Sequence, residues 1–454
     1  MSLFGTAGIR GDVTEKVTPE LALSVGRAAG RDGDEFVVGR DGRETGPALA
    51  AAVEAGLESA GADVRRVGVL PTPALAYASQ GRRGVMLTAS HNPPHDNGIK
   101  LFADGVEYDR DAEEAIEDRV ERGTAPADWD EWGDGEDLAV LADYREAVAD
   151  YAREAVGRDE ERPLDGLRIA VDCGNGMGAL ATPHVLRTLG ADVVTLNANV
   201  DGHFPGRPSK PTPETLGDLQ RFVEDGEFAL GIAHDGDADR IVVLDADGEV
   251  VHEDTILAIL AEHYTRELDR ADPVVVTTPN ASARIDERVR EAGGRVERVH
   301  LGALHEGIAR VRDEGGDVVF AAEPWKHIHT AFGGWIDGVT SAAVVAGLVA
   351  DAGGLGPLRE PVTERPYRKV SVDCPDEAKD DVMAVLREQI PGTFPEATVE
   401  TEYGVRAEFP DGSWTLVRPS GTEPYVRVYA ESETVDELVD AVVEVVERAV
   451  EAET

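Results

Sequence analysis

The stretch Gly84-Val85-Met86-Leu87-Thr88-Ala89-Ser90-His91-Asn92-Pro93-Pro94-His95-Asp96-Asn97-Gly98-Ile99-Lys100 passes abruptly from an apolar run into a polar, proline-rich loop. The apolar residues predict a short strand. Asn92-Pro93-Pro94 cannot continue its ladder, because proline lacks an N–H and pushes the preceding residue towards extended or turn backbone. Ser90 is thereby expected, exposed, at the carboxyl end of a sheet strand, where open α/β sheets bind their ligands. A hydroxyl so presented can act as a nucleophile or carry a phosphoryl group. Taken alone, it reads more readily as a loop serine bonded to its own backbone, and the rest of the chain reverses that reading.

Around this stretch, short apolar strands alternate with helical patterns, the mark of α/β architecture. Thr18-Pro19-Glu20 offers an N-cap, a proline suited to the first helical position and a first-turn acid for a helix through Ala29. Phe36-Val37-Val38-Gly39 predicts a strand ending at Arg40-Asp41, and Pro47 to Ala60 predicts a helix closed by Gly61. The acidic stretch from Gly123 to Asp137 predicts a loop, followed by a linking helix to Arg153. A second region opens with the strand Arg168-Ile169-Ala170-Val171 and runs to a hairpin at Asp247-Gly248. A third has strands at Val274-Val275-Val276 and Val318-Val319-Phe320. From Tyr367 the pattern changes: a strand and a helix precede strands at Val405–Phe409, Trp414–Val417 and Val426–Tyr429, and a last helix runs from Val435 to Val450. The expected organisation is three related α/β domains, 1–153, 154–252 and 253–365, followed by an α+β domain, 366–454.

Composition narrows the class. No apolar run approaches the ~20 residues of a bilayer span, and the amino terminus starts no signal peptide, so a cytoplasmic protein is expected. The two cysteines, Cys173 and Cys374, lie in or beside apolar strands, which predicts reduced buried thiols. The net charge is −45, spread along the chain; such a field repels nucleic acid and anionic membranes. It reads as an adaptation to high salt, that of a halophilic protein. Only six of the 44 basic residues are lysines.

Four further segments carry chemistry. Asp235-Gly236-Asp237-Ala238-Asp239-Arg240 lies between the apolar runs Phe228–Ala233 and Ile241–Leu244. Three carboxylates at alternate positions can converge on one hard cation, leaving places for water and a phosphate oxygen, as Mg²⁺ prefers. An EF-hand is excluded, since Arg240 stands where the sharp-turn glycine would be and Ala246 where the bidentate acid would be. Arg240 offers a fork to a phosphate or a carboxylate. Arg418-Pro419-Ser420-Gly421-Thr422-Glu423-Pro424, with Arg427 beyond it, combines positive charge, hydroxyls and free backbone N–H groups as a phosphate cradle does. It also fits an ordinary turn between strands. In Phe4-Gly5-Thr6-Ala7-Gly8-Ile9-Arg10-Gly11, Arg10 can aim at an anion. In Glu323-Pro324-Trp325-Lys326-His327, Glu323 can accept sugar hydroxyls, Trp325 can stack on a sugar or pack, and Lys326 and His327 can reach a phosphate.

Together these segments resemble the α-D-phosphohexomutase family, which includes phosphoglucomutase, phosphomannomutase and phosphoglucosamine mutase. The resemblance spans essentially the whole chain, and the motifs stand in family order. It implies the heart-shaped four-domain architecture of that family. It makes Ser90 a phosphoserine, and Asp235, Asp237 and Asp239 the Mg²⁺ ligands, joined by an oxygen of the Ser90 phosphate. Arg10, His91 and Lys100 match the residues around the reacting hydroxyl, with Lys100 the proton-transfer candidate. Glu323 and His327 fall on the sugar loop, and Arg418, Ser420, Gly421, Thr422 and Arg427 on the phosphate loop. One departure stands out. Where the family's common pattern is Glu-x-Ser-Gly-His, this chain has Trp325 and Lys326 in place of the serine and glycine.

The implied activity is that of an isomerase, interconverting hexose 1-phosphate and hexose 6-phosphate through Ser90 and a bound hexose 1,6-bisphosphate that also serves as activator. Phosphomannomutase and phosphoglucosamine mutase are the leading substrates' enzymes, in a monomer or dimer whose partners are hexose phosphates. A Mg²⁺-dependent sugar-phosphate phosphatase and a non-catalytic sugar-phosphate sensor are the competing readings. The lysine at 326 is expected to strengthen binding of the distal phosphate against the global negative field.

Overall fold

The computed structural model describes the chain apart from residues 1, 2, 6, 7, 158–160, 269, 421, 422 and 454. It separates into two units, one of residues 1–253 and 325–358, the other of residues 254–324 and 359–454.

In the first unit, a sheet runs in the order Ile9–Asp12, Asp96–Ala103, Arg83–Leu87, Glu35–Arg40, Asp63–Val69, Gly135–Asp137. Its centre is parallel, and the interior of Glu35–Arg40 is buried on both faces, which is why it reads as an unbroken apolar run. The helix Pro19–Ala29 begins at Thr18, whose hydroxyl accepts from Leu21 N at 3.3 Å. It packs on Gly46–Ser59 at glycine-permitted range: a Cβ on Gly26 would lie 2.3 Å from Val53 O. Two features differ from expectation. The strand Arg83–Leu87 leads through Ser90 into an antiparallel partner, Asp96–Ala103, with Leu87 opposite Ile99. The Ser90 loop is therefore a hairpin connection. The acidic stretch after Gly123 also contains a short edge strand, Gly135–Asp137, paired with Val64–Arg66. Glycine makes this possible, since a Cβ on Gly133 would come within 2.1 Å of Ala62 O.

A second sheet of this unit has the order Val242–Leu244, Leu230–Ala233, Arg168–Asp172, Asp192–Leu196. Its first pair is antiparallel, with Ala233 opposite Val242, so residues 234–241 form the loop between them. The helix Leu141–Ala155 packs on Gly178–Thr188 and on Gly338–Ala352. Asp337 caps the last of these and accepts from Tyr144 Oη at 2.9 Å.

The second unit contains the parallel strands Arg295–Arg298, Pro273–Thr277 and Asp317–Glu323. It also contains a five-stranded sheet in the order Tyr367–Asp373, Tyr425–Glu431, Trp414–Pro419, Val405–Glu408, Thr398–Glu400. The helices Lys379–Thr393 and Val435–Glu453 cover one face of it, burying Val405, Val417, Val426 and Val428. Strand alternation puts Lys369, Ser371, Leu416, Arg418, Arg427 and Tyr429 on the other face. Arg284 spans the unit's two parts in a buried pair with Glu431 at 2.9 Å. The four sheets are those of three α/β parts followed by an α+β part, the expected fold class. Cys173 and Cys374 are buried and unbridged, and no helix of the described residues is long and apolar enough to cross a membrane.

Candidate active site

Ser90 is buried rather than exposed, because the acidic loop folds over it. Its Oγ donates to Asp235 Oδ2 at 2.8 Å and lies 3.2 Å from His91 Nδ1. A backbone φ of 51° holds it in the left-handed region, a strained setting for a non-glycine residue. The surroundings enforce it. Ser90 N donates to Thr88 Oγ1 at 2.9 Å, Thr88 Oγ1 to Asp41 Oδ2 at 2.7 Å, and Arg43 pairs with Asp41 at 3.1 Å. Arg43 also donates to the carbonyls of Ser90, Asn92, Pro93 and Asp96.

The three aspartates present carboxylate oxygens within 4.8 Å of one another, all buried. Asp237 Oδ2 accepts from Thr72 Oγ1 at 2.6 Å. Asp237 Oδ1 and Asp239 Oδ1 are buried with no hydrogen-bond partner, a costly state that a divalent cation relieves. The residues present therefore fit a hard-cation site. Burial, then the charges of Asp239 and Asp237, push the Asp235 carboxyl well up. Burial also opposes ionisation of Asp239, but Lys100, Arg240 and Lys326 outweigh it and hold that carboxyl below its usual range.

Cations complete the pocket. Lys100 is buried, 3.2 Å from Asp239 and 3.1 Å from Glu107. Burial works against its charge, but Glu107 and Asp239 prevail and keep it protonated. His91 is pushed down to about 2, by burial first and then by Arg240 and Arg10, so it is neutral at ordinary pH. Arg240 Nε lies 3.6 Å from Asp235, and Arg10 Nε is buried without a hydrogen-bond partner. Arg10, Ser90, His91, Lys100, the three aspartates, Arg240 and Lys326 are thus brought together in one unit.

The other candidates fall as follows. Trp325 packs on the apolar cluster containing Leu216, Leu219 and Phe228, with a φ of 68°. Lys326 pairs in a β-bridge with Arg240, and its charge helps to hold the Asp239 carboxyl low. His327 is fully buried, 3.0 Å from Ser341 Oγ, and pushed down to about 3 by burial. In the second unit, Glu323 accepts from Gly302 N at 2.5 Å. Arg418 donates to Tyr429 Oη at 3.0 Å, and Arg427 lies beside Glu423 at 3.2 Å. Lys379 Nζ donates to Ser420 O and Glu423 O, each at 2.6 Å, and so braces the chain on either side of residues 421 and 422. Gly421 and Thr422 lie outside the described residues.

Sequence reading missed the braces: Asp41, Arg43, Thr72, Thr88 and Lys379. It also missed His234, a buried imidazole that spans the acidic loop, with Nδ1 2.7 Å from Arg240 O and Nε2 2.8 Å from Thr182 Oγ1. The one available signal was charge at a strand end, Arg40-Asp41, followed closely by Arg43.

Four models of the phosphoglucomutase/phosphomannomutase family match in succession: α/β/α domain I at residues 1–127, domain II at 142–248, domain III at 252–367 and the C-terminal domain at 370–448. The chain is 43% identical to a phosphopentomutase of Thermococcus kodakarensis, over 96% of this chain and 94% of the relative. It is also 43% identical to a probable phosphoglucosamine mutase of Methanopyrus kandleri, over 99% and 98%. A crystal structure of a phosphoglucomutase/phosphomannomutase family protein from Burkholderia thailandensis superposes with a TM-score of 0.86 at 26% identity, over 99% and 97% of the two chains. The phosphatase and sensor readings find no support among these relatives. A serine seated against a buried aspartate triad, within a chain matched from end to end in this way, belongs to the phosphoglucomutase/phosphomannomutase family, the α-D-phosphohexomutases, and is an isomerase.

Proposed function

We propose that the chain interconverts glucosamine 1-phosphate and glucosamine 6-phosphate through a phosphoserine at Ser90 and a bound 1,6-bisphosphate. The observation that carries this is the direct contact of Ser90 Oγ with Asp235, beside two unsatisfied carboxylate oxygens and a protonated lysine. Asp235, Asp237 and Asp239 would hold Mg²⁺, which supplies Lewis-acid stabilisation of charge on the transferring group.

In the first half-reaction, the bond from phosphorus to Ser90 Oγ breaks and a bond to the free sugar hydroxyl oxygen forms. The hydroxyl proton ends on Ser90 Oγ, so serine and sugar bisphosphate are the balanced products. Phosphoryl transfer passes through a loose transition state and asks mainly for positioning and charge stabilisation. Lys100, held protonated, donates towards the departing Oγ and is restored by the sugar proton. Neutral His91 orients the same oxygen. The bisphosphate then presents its other phosphate, which returns to Ser90 as the steps reverse. The second phosphate needs its own cradle, assigned to the Arg418–Thr422 loop with Arg427. Glu323 would read the sugar. Boundaries at 153, 252 and 365 divide the four parts.

The 43% identity to a phosphopentomutase and the altered Trp325-Lys326 pair favour one second reading, a pentose phosphate as substrate. Both readings are tested by assaying the purified protein at high salt with Mg²⁺ and trace sugar bisphosphate on glucosamine 1-phosphate and ribose 1-phosphate. Ser90→Ala should abolish turnover, and intact mass should show one phosphate on the native chain and none on the variant. Full activity in Ser90→Ala overturns the phosphoserine; a preference for ribose 1-phosphate replaces the hexosamine assignment.

A further inference from the structure

The chain's basic residues are overwhelmingly arginine, 44 in all with six lysines, so the places where lysine persists are informative. Lys100 and Lys326 act on Asp239, and Lys210 acts on His91. The stem of Lys16 lies against Gly11, the residue after Arg10: a Cβ there would come within 3.1 Å of it. In the second unit, Lys379 braces the phosphate loop. The sixth is Lys369.

Lys369 stands opposite Tyr429 in the antiparallel register of the five-stranded sheet, and Arg418 stands opposite Arg427. All four therefore share the face that the two helices leave uncovered. Lys369 Nζ and Arg418 Cζ each lie 5.5 Å from the centroid of the Tyr429 ring. Arg418 Nε and Arg427 Nε are buried without hydrogen-bond partners. Three cations thus converge on one phenol, and the Tyr429 hydroxyl is lowered against its own burial by Arg418, Arg427 and Lys369. Lys369 has no carboxylate within ion-pair distance among the described residues. In a chain of net charge −45, an exposed ammonium left free of acids beside two under-bonded guanidinium groups is poised for an external anion.

We propose that Lys369 is a further phosphate-binding residue, a flexible third cation that extends the Arg418 loop onto the sheet face. The inference rests on the mutase reading above. Arginine at this place would stack more firmly on the ring, whereas the compact ammonium can leave it to follow a phosphate that changes ends between half-reactions.

The test compares wild type with Lys369→Ala, Lys369→Gln and Lys369→Arg, assayed on whichever sugar 1-phosphate the wild type turns over, with inorganic phosphate as competing anion. The alanine and glutamine variants should raise KM and the phosphate inhibition constant about fivefold, the scale of one partly exposed charge contact. kcat and melting temperature should stay near native, and arginine should restore most of the binding. Native KM and native phosphate inhibition in both neutral variants would overturn the proposal. So would a lowered melting temperature with unchanged KM, which marks a purely structural lysine. If the wild type itself turns over no sugar phosphate, the mutase reading fails first; if Arg418→Ala is impaired while Lys369→Ala is native, only the present inference fails.

Discussion

Arg43 shows how a single residue holds Ser90 in an unfavourable conformation. Its five N–H groups are taken by Asp41 and by the carbonyls of Ser90, Asn92, Pro93 and Asp96. It is 1% exposed and lies over the Phe204 ring at 5.2 Å. Those bonds outweigh the ~1–3 kcal/mol that a left-handed non-glycine residue costs. Arg43→Lys keeps the charge but cannot reproduce the fork. It should lower kcat at least about tenfold and destabilise the unit by about 3–5 kcal/mol, the range for a broken buried pair, read by steady-state kinetics and denaturant melts. Native kcat in this variant would show that the serine loop holds itself. At this scale, legibility divides by the kind of partner. The aspartate triad was readable because its members are alternate in sequence and their chemistry is in their side chains. Arg43 was not, because it serves backbone carbonyls about fifty residues away, and a carbonyl leaves no trace in residue identity.

Elements were legible where periodicity is strong and hidden where glycine overrides composition. The helix Pro19–Ala29 begins at the threonine the sequence marks as its cap. The last sheet follows its alternation, though strands such as Tyr425–Glu431 extend past the apolar core of the pattern. The hairpin return through Asp96–Ala103 was missed, because its Asp-Asn-Gly start reads as loop although these residues already belong to the strand. Two loops meet at Gly236, where a Cβ would stand 2.5 Å from Ser90 O. A methyl there cannot be accommodated without moving one loop off the other. Gly236→Ala should therefore separate serine from triad, cutting kcat about a hundredfold or more (a misplacement near 1 Å suffices) and weakening Mg²⁺ binding in calorimetry. If both measurements stay native, the loops do not depend on this contact.

For the molecule as a whole, buried neutral imidazoles set an acid limit. His91, His234 and His327 lie at about 2, 4 and 3, against an ordinary 6.5; burial is the leading cause in each. Their folded values are depressed, so below 6.5 the unfolded chain binds protons that the folded chain refuses. Stability must then fall as pH drops from 6.5 towards these values, by up to about 1.4 kcal/mol per pH unit for each imidazole. Denaturant melts between pH 7.5 and 4.5 should show the decline, and His327→Gln should flatten it by about one imidazole's share. An unchanged slope would mean that His327 is not held neutral by burial.

The placement of lysines described above also has a consequence for reagent chemistry. Acylating agents, pyridoxal phosphate and other amine-selective electrophiles ignore guanidinium groups. On most proteins they decorate the surface at random; here the side-chain amines number six, gathered near the Ser90 loop, the aspartate loop and the strands that carry Arg418 and Tyr429. Reactivity will differ among them, since Lys100 is buried and ion-paired while Lys16, Lys210 and Lys369 are exposed. An affinity label or a fluorophore carried on an activated ester is therefore directed towards these few places by amino-acid composition, without an engineered handle.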